Sequence, residues 1–461
     1  MTKLNLSLQL LIMSRKKNLI FFLALILLTN CSLDNKTGIW TGEENEKKRI
    51  TELDEEKKQI VNTVNIYSSE NIYSKEVSLT KNIRISKPKK NLSWKMHSLN
   101  HQNFLGNIYL SGIDNIFLKK KIGKNKFSKS QIISSPLFFE GNLIFSDDKG
   151  TIFSINQGGA INWKKNIYKK IYKKINKNLV FSIYKKNIYI ADNIGFIYSI
   201  DLSNGKIIWI KNHGIPIKSN IKIYKEKIFL INQDNRIFCL NTKNGSKVWD
   251  LRSVPSFIKL QNFLSTAISK QGDIVTINSS GDLLKVNSND GRVNWALSTL
   301  ESTLAHATDF FNSSKIVISD ENIFFSSKST FFSYNLNTGQ NNWRQKVSSI
   351  GAPIVDGNNI FILTKNGFFV ILDKITGEII SSVNILKILE KKKQTTRITG
   401  FIMGSGKIYS VTSNGYIIVS SPISGKVEFF RKIGDPIISS PIINNGKLYI
   451  LTKNSRILGF N

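Results

Sequence analysis

The stretch "DLSNGKIIW", residues 201–209, is one of a set of near copies that recur along the chain. "NTKNGSKVW" occupies 241–249, "NSNDGRVNW" 287–295 and "NLNTGQNNW" 335–343. Two weaker copies end at Ser381 and Phe429, and a shortened one, "NQGGAINW", ends at Trp163. In every copy a glycine stands four residues before the tryptophan or its replacement. A spacing held that tightly marks a repeat architecture.

Working outward, each copy is preceded by two short apolar runs with a turn between them, as in "NIYIAD-NIG-FIYSID" and "KIFLIN-QDN-RIFCLN". Runs of β-branched and aromatic residues between Asn, Gly and Asp clusters read as hairpin-linked strands. A weaker run, such as "LVFSIY", comes before each pair, so a unit holds four antiparallel strands and no helix. The Asp or Asn that ends the third strand can hydrogen-bond the backbone of the next turn, and glycine supplies a positive φ there. The chain then reverses into an outer strand whose tryptophan can wedge between neighbouring sheets. Trp163, Trp209, Trp249, Trp295 and Trp343, with Gly205, Gly245, Gly291 and Gly339, are therefore read as structural.

Positions 163, 209, 249, 295, 343, 381 and 429 mark seven units. Two fragments remain. Trp94, in "NLSWKM", reads as a further outer-strand tryptophan of the blade motif with no strands before it. The chain end, residues 439–461, supplies three strands and stops where an outer strand should begin. Joined, they make an eighth sheet. The expected fold is all-β: an eight-bladed β-propeller of four-stranded antiparallel blades over 94–461, closed by the N-terminal strand around Trp94. That allots about 46 residues per blade, usual for this architecture.

Lys+Arg number 65 against 32 Asp+Glu, a formal charge of +33. Such an excess raises nucleic acid or an anionic membrane as partners. Lys, Asn, Ile and Phe are abundant in every segment, however, so the basicity reads as a chain-wide compositional bias. "SRKK" at 14–17, the apolar run 18–28 and "TNCS" form a secretory signal, with Met13 an alternative start. The run is too short to span a bilayer as a mature helix. Residues 28–31, Leu-Thr-Asn-Cys, resemble a bacterial lipobox, which makes Cys31 a lipid anchor. Residues 1–30 are then a lipoprotein signal peptide, 31–93 a lipid-anchored charged tether and 94–461 the propeller. Export excludes nucleic acid. Ser32 after the anchor, with no Asp at that position, points to the periplasmic face of the outer membrane. A triply acylated cysteine anchors stably where one chain does not. Cys239, the other cysteine, reads as an inert core residue.

The repeat resembles the tryptophan-docking repeat of the quinoprotein-type (PQQ-like repeat) β-propellers, in Asn335, Thr338-Gly339 and Trp343 and again in Asp201, Gly205 and Trp209. With the lipobox and eight blades, the chain resembles the family of outer-membrane-protein assembly factor B (BamB) lipoproteins. The resemblance implies a non-enzymatic scaffold that docks to the central β-barrel-inserting subunit (BamA-like) and associated lipoproteins. A second implication is a dehydrogenase using pyrroloquinoline quinone and calcium. Such enzymes need a catalytic Asp, Glu/Asn calcium ligands and often adjacent cysteines. Asp147, Asp148 and Asp273 fall in hairpin turns instead, and His97, His101, His213 and His306 match no catalytic or zinc pattern. The expectation is no enzyme, no cofactor, no metal and no small-molecule substrate. A periplasmic propeller lipoprotein binding polysaccharide or another partner is the remaining alternative.

Docking is placed on the connections between blades. The loop "SVPSFIKLQNF" at 253–263 carries Phe257, Ile258, Leu260 and Phe263. An apolar loop on an exposed rim marks a partner surface, although "FIKL" also reads as the inner strand of the next blade. The following connection, "ESTLAHATDFF" at 301–311, adds Glu301 and Asp309. The densest basic run, 164–178, either faces anionic headgroups or is a solvated loop swollen by composition; the second is the expectation.

Overall fold

The computed structural model describes residues 73–122, 135–172, 174–254, 264–300, 311–389 and 396–461, with isolated residues between 48 and 55. Their strands form eight four-stranded antiparallel sheets arranged as a propeller. Blade 1 runs Leu137–Phe139, Asn142–Ser146, Thr151–Asn156 and Ile161–Asn166. The inner strands of blades 2 to 7 are Leu179–Tyr184, Lys222–Tyr224, Thr266–Ile268, Val317–Ser319, Ile354–Asp356 and Ile398–Gly404. Their outer strands are Ile207–Asn212, Lys247–Arg252, Val293–Ser298, Asn341–Gln345, Ile379–Asn384 and Val427–Lys432. Blade 8 takes Ile442–Asn444, Lys447–Leu451 and Arg456–Phe460 from the chain end and Ile116–Lys121 from the N-terminal part.

The burial of each strand follows from its place in the sheet. Middle strands such as Phe196–Asp201 and Phe368–Asp373 face neighbouring blades on both sides and are buried almost throughout. Outer strands meet solvent along one edge and are half exposed, as Lys247–Arg252 is. Apolar clusters bridge successive blades: one joins blades 2 and 3, another blades 3 to 5, and the largest joins blades 7, 8, 1 and 2.

The recurrent motif has one geometry. Asp201 Oδ1 accepts from Ser203 N at 2.8 Å and Asn204 N at 3.2 Å, and Asn335 Oδ1 accepts from Asn337 N and Thr338 N. Gly205, Gly245, Gly291 and Gly339 all have φ near +70°. Each tryptophan then docks on the next blade. Trp163 Nε1 donates to Leu202 O at 2.9 Å, Trp209 Nε1 to Thr242 O at 3.1 Å, and Trp343 Nε1 to Lys374 O at 3.1 Å. The ring lies against the glycine of that next blade, so a Cβ on Gly205 would stand 2.7 Å from Trp163 Cε3. In blades 1 to 7 the outer strand carries a bulge immediately before the tryptophan or its replacement, as between Ile207 and Trp209. A bulge re-aims a side chain, and here it turns the indole toward the neighbouring blade.

Two expectations need correction. Closure is made by an N-terminal strand, but that strand is Ile116–Lys121, paired with Arg456–Phe460. Leu118, not Trp94, is the eighth docking residue: it follows a bulge of the same kind and its Cδ1 would lie 2.9 Å from a Cβ on Gly159 of blade 1. Trp94 pairs with Phe138 on the inner strand of blade 1 and is 3% exposed, with no partner for Nε1. It belongs to no blade motif. The boundary at 94 also cuts through the folded body. Val77 and Ser382 exchange backbone hydrogen bonds of 2.9 Å, an isolated β-bridge at the outer edge of blade 6. Ile83 is buried in the cluster between blades 6 and 7.

Candidate functional site at the ring centre and its loop face

In blades 1 to 7 the turn after the inner strand and the turn carrying the motif glycine lie on one face, called the turn face. The inter-blade connections lie on the other, the loop face. Residues 86–111 cross the centre of the turn face and reach every blade. Trp94 N donates to Phe138 O at 2.6 Å (blade 1), and Ile183 N to Lys95 O at 2.7 Å (blade 2). Ile268 N donates to His101 O at 2.8 Å (blade 4), and Ile318 N to Gln102 O at 3.0 Å (blade 5). Ser86 N donates to Asp356 Oδ2 at 2.7 Å (blade 6), Ile108 N to Met403 O at 3.3 Å (blade 7), and Ser111 N to Gly446 O at 2.9 Å (blade 8).

Blade 3 is held by Lys222, which is 1% exposed. Its Nζ donates to His97 O at 3.2 Å, Asn100 O at 2.7 Å and Asn103 Oδ1 at 2.6 Å. The Asn103 amide in turn donates to Thr266 O at 3.0 Å and Ile316 O at 2.7 Å, tying blades 3, 4 and 5 together. His101 Nε2 meets Ile223 O at 2.6 Å. All three acceptors of Lys222 are neutral. Burial, with a smaller push from Lys315, lowers its pKa to about 7. Burial lowers Lys315 to about 8 and holds His97 well below the usual imidazole range, so His97 is neutral at pH 7.

Chemically, the centre of the turn face is a hub of backbone carbonyls, the amides of Asn100, Asn103 and Asn107, the His101 imidazole and the Lys222 amine. The inner strands carry one carboxylate, Asp356, which Ser86 N and Oγ already engage. Among the described residues, no three His, Cys, Asp or Glu side chains gather where they could hold a metal ion. Calcium is held by several oxygens with carboxylates among them. Here the one inner-strand carboxylate is taken by Ser86, and Lys222 Nζ occupies the oxygens of His97, Asn100 and Asn103, so the arrangement does not fit calcium. Sequence reasoning missed the hub, since residues 86–111 carry no repeat motif. Lys222, a lysine inside an otherwise apolar inner strand, was the one signal of it.

Phe257, Ile258, Leu260, Phe263, Glu301 and Asp309 lie outside the described residues, as does Cys31. The roots of both loops are described, and they converge on blade 4. Val254 O accepts from Asn235 Nδ2 at 2.8 Å and Ser280 Oγ at 3.3 Å, while Leu300 and Phe311 pack against Gly281. Val254 is exposed and Phe311 buried.

The other residues singled out take structural places. Asp147 Oδ1 caps its hairpin turn, accepting from Lys149 N and Thr151 N. Asp273 pairs with Lys285 at 3.2 Å. Cys239 is fully buried, and burial pushes its thiol up to about 12, which keeps it unreactive. The basic run 164–178 is partly core: Lys177 is buried and donates to Tyr172 O, and Tyr168 Oη donates to Asp192 Oδ2 at 2.6 Å. Burial raises Asp192 to about 6.

Residues 148–383, just over half of the chain, match the family model described as outer membrane protein assembly factor BamB. No curated protein matches the sequence. The fold is similar to BamB from Moraxella catarrhalis at 13% identity and TM-score 0.60, covering 75% of this chain and 100% of that one. It is similar to a europium-containing methanol dehydrogenase at 12% identity and TM-score 0.60, covering 79% and 90%. A quinohemoprotein alcohol dehydrogenase from Pseudomonas putida HK5 is similar at 10% identity and TM-score 0.60, covering 81% and 80%. At these identities the structural likenesses speak to the fold alone.

Proposed function

Because the chain belongs to the family of outer membrane protein assembly factor BamB, we propose that it is a non-enzymatic scaffold of the outer-membrane β-barrel assembly machinery. In this reading Cys31 anchors it at the periplasmic face of the outer membrane, and the loop face docks to the central barrel-inserting subunit. The observation that supports the reading is the plug that the chain itself lays across the turn face of the ring. The chain's own residues 86–111 occupy the turn-face end of the channel, and their donors do not fit calcium. A ring closed in this way offers its inter-blade loops to partners, and loops on a rigid scaffold are where binding residues concentrate.

The test is capture from native membranes with the chain tagged at Asn461, followed by mass spectrometry. Recovery of a large β-barrel insertase with periplasmic repeat domains supports the scaffold. Recovery of an electron carrier or a quinone cofactor, without a barrel protein, overturns it. Phe257→Asp combined with Leu260→Asp is expected to abolish that recovery while the thermal melt stays in place. A double variant that no longer folds would assign both residues to the core and remove this loop from the docking surface.

A further inference from the structure

We propose that the outer rim of blades 8 and 1 is a contact surface for an anionic phospholipid membrane, additional to any lipid anchor. The outer strand of blade 8 ends in Lys119, Lys120 and Lys121, and that of blade 1 carries Lys164 and Lys165; all five are exposed. The two strands are neighbours in space, since a Cβ on Gly159 of blade 1 would lie 3.3 Å from Lys120 Cβ. Neither strand contains an acidic residue, and none of the five lysines is ion-paired among the described residues. Asp435, whose carboxylate feels the charge of Lys119, is held by Arg456 at 2.6 Å.

Each of the other outer strands carries a net charge of only zero or +1. Lys211 is the one charge on that of blade 2 and Arg344 on that of blade 5, while Arg252 on blade 3 and Arg431 with Lys432 on blade 7 stand beside a carboxylate of the same strand. On blade 3, Asp250 pairs with Arg236 at 2.5 Å and Lys247 at 2.7 Å, and on blade 7 Lys407 pairs with Glu428 at 2.7 Å. The outer strands of blades 4 and 6, Val293–Ser298 and Ile379–Asn384, have no charge. Lysines on edge strands also prevent edge-to-edge pairing, but that need is shared by every blade and predicts lysines on all of them. A chain-wide compositional bias predicts the same even spread. The concentration on two adjacent blades therefore needs a local cause.

Two features favour lipid over an acidic protein. The cations are all lysines, point charges without the forked geometry that specific carboxylate recognition uses. Exposed isoleucines, Ile116 at 41% and Ile161 at 46%, stand at the start of the same strands. Basic and apolar side chains on the same strands suit a headgroup boundary, where each lysine near the surface adds attraction and an apolar side chain enters the interface. Exposed apolar residues such as Ile208, Val248 and Phe430 stand on other outer strands too, so it is the lysines that set this rim apart.

The experiment compares binding of the full chain to phosphatidylcholine vesicles and to vesicles also containing phosphatidylglycerol. An N-terminal anchor contributes equally to both, so the ratio reads the rim. The expected preference for anionic vesicles is roughly tenfold or more, declining at high salt. Replacing Lys119, Lys121, Lys164 and Lys165 by Gln is expected to remove it. The same change at Lys243, Lys365, Lys426 and Lys432, exposed lysines on other blades, is expected to leave most of it. Equal binding to both vesicles, or equal losses in the two variants, overturns the proposal. So does an intact vesicle preference in the rim variant accompanied by loss of an acidic protein from membrane captures, which would assign the rim to a protein.

Discussion

At Gly205 the backbone has φ +70°, and a Cβ would fall 2.7 Å from the Trp163 ring. Both the turn and the close approach of the indole therefore require glycine. Gly205→Ala is expected to cost about 2–4 kcal/mol, combining left-handed backbone strain with overpacking against a ring held in place. Gly434→Ala, at φ +99° with no atom within 4 Å of the added methyl, should cost only about 1–2 kcal/mol. Equal losses for the two in urea denaturation would sink the docking account. Lys222 gives a second test at this scale. Its folded pKa of about 7 lies below the ordinary 10.5. Between those values the unfolded chain binds the extra proton, so Lys222 makes stability rise as pH rises from about 7 toward 10, while its full cost remains below pH 7. The stability of the native chain relative to Lys222→Met should therefore increase across that window. A difference flat in pH would mean that the ammonium is not desolvated.

At the element scale, the outer strand works through a bulge placed one residue before the docking side chain. The repeat spacing of glycine and tryptophan was legible because both sit within one unit. The eighth unit was legible only in part: its turn and outer strand are split between the two ends of the chain, and Leu118 lacks the aromatic ring that marks the others. Trp94 carried the ring but docks elsewhere, at the inner strand of blade 1. Leu118→Ala is expected to cost about 2–4 kcal/mol, because the leucine is buried between blades 8 and 1. Hydrogen exchange separates this from the alternative. In Leu118→Ala the amides of Ile116–Lys121 and Arg456–Phe460 should lose protection before those of other blades. In Trp94→Ala they should not, and early loss there would restore Trp94 as the closing residue.

For the whole molecule, the ring is held from two places. Blade-to-blade docking joins neighbours, and residues 86–111 join all eight blades at once. A propeller held only by its neighbours would tolerate loss of the N-terminal segment up to the closing strand. Here a chain starting at residue 112 keeps Ile116–Lys121 but loses the hub, leaving Asp356 and the carbonyl of Ile316 without partners. It is expected to melt well below the full chain and without a sharp transition. A chain starting at residue 73 should match the full chain, because the pairing of Val77 with Ser382 is retained. A cooperative melt of the 112 start at the full-chain temperature would show that the hub is dispensable.

Strand number, blade number, the docking tryptophans and their glycines could be read from the sequence alone. They depend on turn chemistry and apolar alternation over a few residues, which repetition makes visible. The identity of the closing strand, the hub and the concentration of charge on blades 8 and 1 were decided only by the tertiary structure. Those features join residues far apart in the chain, such as His101 with Ile223 across 122 positions and Leu110 with Ser405 across 295. No local pattern encodes such a contact: a lysine, a histidine and a stretch without strand periodicity become a hub only when eight inner strands surround them.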